Sequence, residues 1–158
     1  MFRPMRRKTK EISIDEAKKI LSEARTGILA VNGDDGYPYA IPVNYYYDEE
    51  KNKIYFHGSG AGHKVDALKA SDKVCFTATG PEVVKDVEWA PYVKSTVVFG
   101  RCHIMEDAAD AMLRLRQFAM KYYPNEMLVD EEIAASGKAV KMYEIDVEHM
   151  SGKEVQER

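Results

Sequence analysis

The feature that most constrains this chain is the close spacing of its β-prone runs. Six of them, at residues 27–31, 37–47, 53–57, 73–79, 95–104 and 139–147, are rich in aromatic and β-branched residues and are separated by turn signals. Neighbouring parallel strands need a crossover of about a dozen residues or more, and only the stretch 108–123 reads as a helix long enough to supply one. The strands are therefore expected to pair antiparallel. A small six-stranded barrel with flanking helices, mainly β and α+β in class, is the closure that removes exposed edges.

Local signals punctuate this pattern. Ser13-Ile14-Asp15-Glu16 reads as a capping box, and Ile14, Ala17, Ile20, Leu21 and Ala24 recur at helical spacing behind it. Asp35-Gly36 is a strong hairpin signal, and a polar turn at 48–52 precedes the next run, so the first three runs are expected to be consecutive antiparallel strands. A glycine-rich loop at 58–62 leads from a strand into a short helix at 63–70. Residues 80–92, polar and with two prolines, form an exposed excursion across which 73–79 and 95–104 pair. In the long helix, Met112, Leu115, Ala119 and Tyr122 mark a face widened by Leu113 and Phe118, and Arg114 and Arg116 are expected on the solvated side. Pro124-Asn125 ends it, a second short helix is expected at 126–135, and 139–147 alternates imperfectly as a final strand. With no internal repeat, residues 1–158 read as one domain.

Composition excludes several function classes. Hydrophobic residues at 45% and charged residues at 31% place the chain among globular proteins able to bury a core. Against 26 Asp and Glu stand 23 Lys and Arg, which argues against a general nucleic-acid binder. Cys75 and Cys102 have no CxxC or His-paired spacing and are expected to be reduced and buried. His57, His63, His103 and His149 lie on different elements without HxH or HxxxH spacing, so no metal site is expected. The basic start is followed by Thr9-Lys10-Glu11 where a signal sequence would turn apolar, and no apolar run reaches the roughly 18 residues of a membrane span. A cytoplasmic location without membrane association is the expectation.

Gly58-Ser59-Gly60-Ala61-Gly62-His63-Lys64 carries the clearest chemistry. A strand, a glycine turn and a Lys at a helix start offer a phosphate backbone N–H groups, a helix dipole and a positive charge. His63 precedes Lys64 where the P-loop has glycine, and Val65 replaces its Ser or Thr, so that motif is excluded. The spacing also misses the dinucleotide fingerprint. The alternative is a flexible turn with an exposed lysine. His57, at the end of the preceding strand, reads either as a ligand-facing group or as a structural histidine. The rings of Tyr37, Tyr39, Tyr45, Tyr46 and Tyr47 suit core or dimer packing, and would equally suit a planar cofactor. Arg3, Arg6, Arg7 and Lys8 form a basic arm, either solvated or reaching a phosphate across a subunit boundary.

Four fragments in register then point to a family: 1–8 (MFRPMRRK), 33–39 (GDDGYPY), 54–57 with 62–64 (IYFH and GHK), and 149–154 (HMSGKE). Together they resemble the 5-nitroimidazole resistance branch of the pyridoxamine 5'-phosphate oxidase-like flavoproteins, over nearly the whole chain. The resemblance implies a split β-barrel, a homodimer, and FMN held at the subunit interface. By position, Ile41, Pro42, Val43 and Asn44 would run along the isoalloxazine, mainly through backbone groups, with Phe56 and His57 on the next strand. His63 and Lys64 stand where the oxidases place a basic pair at the FMN phosphate, and Gly62 lets the backbone approach it. Ser95 stands where relatives carry a glutamine near the flavin.

The oxidases' C-terminal arginine for pyridoxal phosphate has no identifiable counterpart, which argues against pyridoxamine phosphate oxidation. The implied activity is an FMN-dependent oxidoreductase that takes electrons from a reduced donor such as a nicotinamide. It would pass them to a small aromatic acceptor such as a 5-nitroimidazole, with no side chain acting as catalytic acid or base. The competing class is a flavin- or heme-binding split barrel without turnover, with His57 or His63 as the heme ligand.

Overall fold

The computed structural model describes residues 1–156. Its one sheet has seven strands: β1 Thr26–Asn32, β2 Pro38–Asn44, β3 Tyr46–Asp48, β4 Lys53–Gly58, β5 Lys73–Thr79, β6 Tyr92–Ile104 and β7 Lys141–Gln156. Every pairing is antiparallel, in the order β2-β1-β5-β6-β7-β4-β3. Four helices flank it: α1 Ile14–Glu23, α2 His63–Ala70, α3 Ala108–Tyr122 and α4 Glu126–Ser136.

The seventh strand comes from dividing the run expected at 37–47. Its first part pairs with β1 and its last part with β4, and Tyr45 lies between them. The two edges of the sheet thus belong to one continuous segment, so the sheet must curl until its edges meet at Tyr45. Leaving both ladders strands the backbone groups of Tyr45, which is fully buried. Tyr122 and Lys121, at the end of α3, satisfy them. The Tyr45 N–H donates to Tyr122 Oη at 2.8 Å, and the Tyr45 carbonyl accepts from Lys121 Nζ at 3.1 Å. Lys121 also caps the end of α1 through the Ala24 carbonyl. Burial, with Arg25 nearby, pushes its pKa down to about 8.

Inside the curl, alternate residues build the core. Leu29, Phe76 and Val98 are fully buried on one row of the register, and Ile54, Phe56, Tyr143 and Ile145 extend the core through β4 and β7. Outside, α3 lays Leu115 and Phe118 over Tyr55 and Met142, so β4 and β7 are buried on both faces. That double burial explains the imperfect alternation at 139–147. The final strand also runs on to Gln156, nine residues beyond the expected end at 147.

Three expectations for α3 need correction. Met112 and Leu113, expected on the apolar face, are 36% and 51% exposed, whereas Arg114, expected in solvent, is 4% exposed. The guanidinium donates to Asp48 Oδ2 at 3.1 Å, Asp110 Oδ1 at 3.2 Å and Gln117 Oε1 at 2.8 Å, and lies over the Tyr55 ring. A buried carboxylate arriving from β3 draws the arginine inward, which helix periodicity alone does not reveal. Both cysteines are free; Cys102 is buried, but Cys75, expected buried, is half-exposed on the outer face.

The local signals appear as structure. Asp35 and Gly36 take φ of 54° and 80°, and Tyr37 N–H closes the turn on the Asp34 carbonyl. At α1, Ser13 Oγ accepts from Glu16 N and the Glu16 carboxylate accepts from Ser13 N, both at 3.2 Å. Ser13→Ala is expected to lower stability by about 1 kcal/mol in urea denaturation, whereas Ser13→Asp should hold it near wild type.

Candidate functional site

β4 carries the chain out of the barrel with Phe56 pointing inward and His57 outward. After Gly58 the loop is pinned from β7: Tyr143 Oη donates to the Ser59 carbonyl, and Ser59 Oγ donates to the Ala61 carbonyl at 2.6 Å. Gly62, with φ of 113°, takes a conformation that side chains resist and becomes the N-cap of α2 without any capping side chain. The first amides of α2 are therefore left for a ligand or solvent.

Lys64 folds back toward this loop. Its Nζ sits 4.5 Å from the centre of the Tyr143 ring and 5.4 Å from that of Phe56, which themselves stack at 4.9 Å. Only a glycine at 58 leaves room for it, since a Cβ there would lie 2.5 Å from Nζ. The ammonium has neither a hydrogen bond nor an ion pair among the described residues. Partial burial holds its pKa below the usual lysine range. A half-buried cation with aromatic faces below it and no anion beside it is an electrostatic deficit that a phosphate would fill.

His63, the next residue along, goes elsewhere. Its ring stacks on Tyr39 at 4.1 Å, and its Nε2 lies 3.7 Å from Asp34 Oδ2 at the β1–β2 turn. Successive helical residues diverge by about 100°, so the adjacent pair in sequence faces two directions. His57 meets Phe118 edge-on at 4.9 Å, and partial burial, with Lys64 nearby, holds its pKa below the ordinary histidine value.

Ile41, Pro42, Val43 and Asn44 lie on β2, an edge strand whose outer backbone groups no ladder uses. Ile41 and Val43 are half-buried against the core, whereas Pro42 and Asn44 are exposed on the outer face; Asn44 Oδ1 accepts from Thr26 Oγ1 at 3.3 Å. β2 also runs close to β4. The seam between them therefore gathers the edge of β2, Phe56, His57, the glycine loop and Lys64. Ser95 is not in that seam. It pairs with Thr79 and Lys153, at the end of β6 remote from Ile104 and Tyr143. At about 3.3 Å per residue, the nine steps from Ser95 to Ile104 span roughly 30 Å.

One contributor and one side-chain cluster outside the seam escaped the sequence reading. Tyr143 both pins the loop and underlies Lys64, and its only sequence signal is the break in alternation at 142–145. His103, Glu144 and Asp146 gather ligand atoms within 4.8 Å of one another from two strands. Lys53 Nζ already occupies this group, 2.7 Å from Glu144 and 3.0 Å from Asp146, so it is an ion-pair cluster.

A family profile for pyridoxamine 5'-phosphate oxidase matches residues 13–154. The chain belongs to this family. Among solved structures, a candidate 5-nitroimidazole antibiotic resistance protein from Bacteroides thetaiotaomicron superposes with a TM-score of 0.76 at 20% identity, over 92% of this chain and 87% of that one. An FAD-binding protein from Mesorhizobium loti gives 0.67 at 22% identity, over 92% and 97%. A flavocytochrome from Azotobacter vinelandii gives 0.75 at 20%, over 95% and 71%. Among curated proteins no sequence matches significantly. The seven-stranded antiparallel curl with flanking helices is the split barrel of this oxidase-like family. No helix among the described residues is long and apolar enough to cross a membrane.

Proposed function

We propose that this member of the pyridoxamine 5'-phosphate oxidase family is an FMN-dependent oxidoreductase that works as a homodimer. The observation that carries the reading is the unpartnered Lys64 ammonium, held by Gly58 and Tyr143 beside the open start of α2. A phosphate fits there. The free edge of β2 offers N–H and C=O groups to the hydrogen-bonding edge of a planar ring, and His57 stands beyond it on β4. FMN would supply the electron transfer, and the chain's own groups would bind it, orient it and exclude water. The flavin and heme proteins among the structural neighbours support the cofactor class.

The separation of Lys64 and Ser95 supports the dimer. The two lie toward opposite ends of one sheet, so a flavin reaching both needs a second chain to bring Ser95 to the seam. The outer face of β1, β5 and β6 suits that second chain: Ile28, Val97 and Phe99 present apolar surface there, with Ile28 and Phe99 exposed. The acceptor is a small aromatic molecule of the 5-nitroimidazole kind, and the donor a reduced nicotinamide.

The first test is the absorption spectrum of the purified chain reconstituted with FMN. One flavin per chain, bleached anaerobically by NADH or NADPH and recoloured by a nitroimidazole, is the expected result. Bound flavin that no donor bleaches would instead assign a binding protein, and a Soret band would assign heme.

A further inference from the structure

An apolar arm stands off the end of the β5–β6 hairpin with nothing among the described residues covering it. Residues 81–91 are tethered at the root by the Val83–Tyr92 bridge and by Gln156 Nε2, which donates to Glu88 at 2.7 Å and to the Ala90 carbonyl at 3.3 Å. Beyond the root, Val84, Val87 and Trp89 are 63%, 107% and 82% exposed. Grouped exposure of this kind marks a contact surface. Glu82 and Asp86 on the same arm have no ion-pair or hydrogen-bond partner among the described residues.

The outer face of the sheet holds a matching recess at the other end of the strands. A groove of about 540 Å³ is walled by Phe2, Ala30, Cys75 and Phe99, with Lys73, Glu148 and Arg101 at its rim, the arginine ion-paired to Glu148 and Asp72. Phe2 stacks on His149 at 4.8 Å, which starts the basic N-terminal arm at the groove; the arm runs on to Glu11, bridged to Lys153. Arg3, Arg6 and Arg7 on that arm are likewise without partners among the described residues. Within one chain the acidic apolar arm and the apolar groove cannot meet. By strand rise the arm's root at Gly80 lies about 10 Å beyond the Thr77–Val97 pair, and the groove about 7 to 13 Å before it. A two-fold axis running across the strands at Thr77–Val97 lays one end of this face over the other.

We propose that the 81–91 arm of one copy seats Trp89 in the outer groove of a second copy, with Glu82 and Asp86 facing that copy's N-terminal arginines. This rests on the two-chain assembly proposed above and names the surface that builds it. The contact is reciprocal, so each dimer contains it twice, and it gives the single tryptophan a buried position that it lacks in one chain. Aromatic anchors in apolar pockets carry a disproportionate share of interface affinity.

Trp89 is also the reporter. The full chain is followed across a concentration series by sedimentation velocity and tryptophan emission. Trp89→Ser and Phe99→Glu run alongside, both at exposed positions and checked for fold by circular dichroism. The emission of the wild type should move to shorter wavelength over the range in which the sedimentation coefficient rises. Each variant should raise the dimer dissociation constant about tenfold or more. A Trp89→Ser chain that dimerises like wild type, or a wild-type dimer whose tryptophan emits as a solvated indole, overturns the arm contact and leaves the shared-site reading standing. A wild-type chain that stays monomeric throughout overturns both.

Discussion

Replacing Arg114 with alanine is expected to remove about 3 to 5 kcal/mol of folding stability, read from urea denaturation followed by far-UV circular dichroism. The guanidinium joins Asp48 of β3 to Asp110 and Gln117 of its own helix, and both Arg114 and Asp48 are buried. Removing it leaves the Asp48 carboxylate under α3 with only the Lys51 N–H, at 3.1 Å, as its remaining partner among the described residues. An uncompensated buried charge accounts for most of the loss. Against a total stability of about 5 to 15 kcal/mol, that is enough to unfold a substantial fraction of the protein on mild heating. The double variant Arg114→Met, Asp48→Asn removes both charges and keeps an acceptor for Lys51. It should recover most of the loss, because replacing a whole buried pair is far less costly than breaking one. A single-variant cost below about 1 kcal/mol would show that water reaches Asp48 and that the pair does not hold α3 on the barrel.

Lys64→Ala is expected to weaken FMN binding roughly 10- to 150-fold, the equivalent of about 1.5 to 3 kcal/mol for one charge-assisted phosphate contact. Isothermal titration with FMN measures it. The fold should be little affected, because the ammonium satisfies no carboxylate or carbonyl that its loss would strand. Gly58→Ala is the finer probe: its methyl group would lie 2.5 Å from Nζ, so the flexible end of the lysine moves while the barrel stays. Affinity should fall there too, by less. The pH dependence has a definite sign. Burial lowers the Lys64 pKa, so the positive charge disappears as pH rises through that lowered value, before an ordinary lysine would titrate. FMN affinity should decline on this early alkaline limb, and Lys64→Arg, which keeps its charge, should flatten it. Unchanged affinity in Lys64→Ala would sink the phosphate assignment.

Much of the seam was legible in the residues and their likeness to known flavoproteins. The glycine run 58–62, ending at a helix with Lys64 in its first turn, placed a cationic loop after a strand, and the structure has that loop. What Lys64 rests on was not legible. Tyr143 lies 79 positions away and reaches the loop only because β7 pairs with β4 in the register Phe56↔Tyr143. His63 and Lys64 look like a pair in one dimension, yet helix geometry sends one to Tyr39 and the other over Tyr143. The Ser95 position similarly shows how far it stands from the seam only after β6 is paired with β5 and β7.

The sequence by itself determined whatever depends on neighbours within a few residues. The Ser13 capping box, the Asp35-Gly36 turn and the end of α3 before Pro124 are contacts between residues no more than four apart. Much of the antiparallel class also followed locally, because the connections within 26–58 and the 80–91 excursion carry no crossover helix. Only the tertiary structure decided where the 37–47 run breaks, since Tyr45 can leave both ladders only with Lys121 and Tyr122 there to hold its backbone. It alone turned Arg114 inward, because the force acting on that side chain is a carboxylate 66 positions away. Local pattern reports the period of an element. Which of its faces is buried, and which cation is left without an anion, depends on what the rest of the chain packs against it.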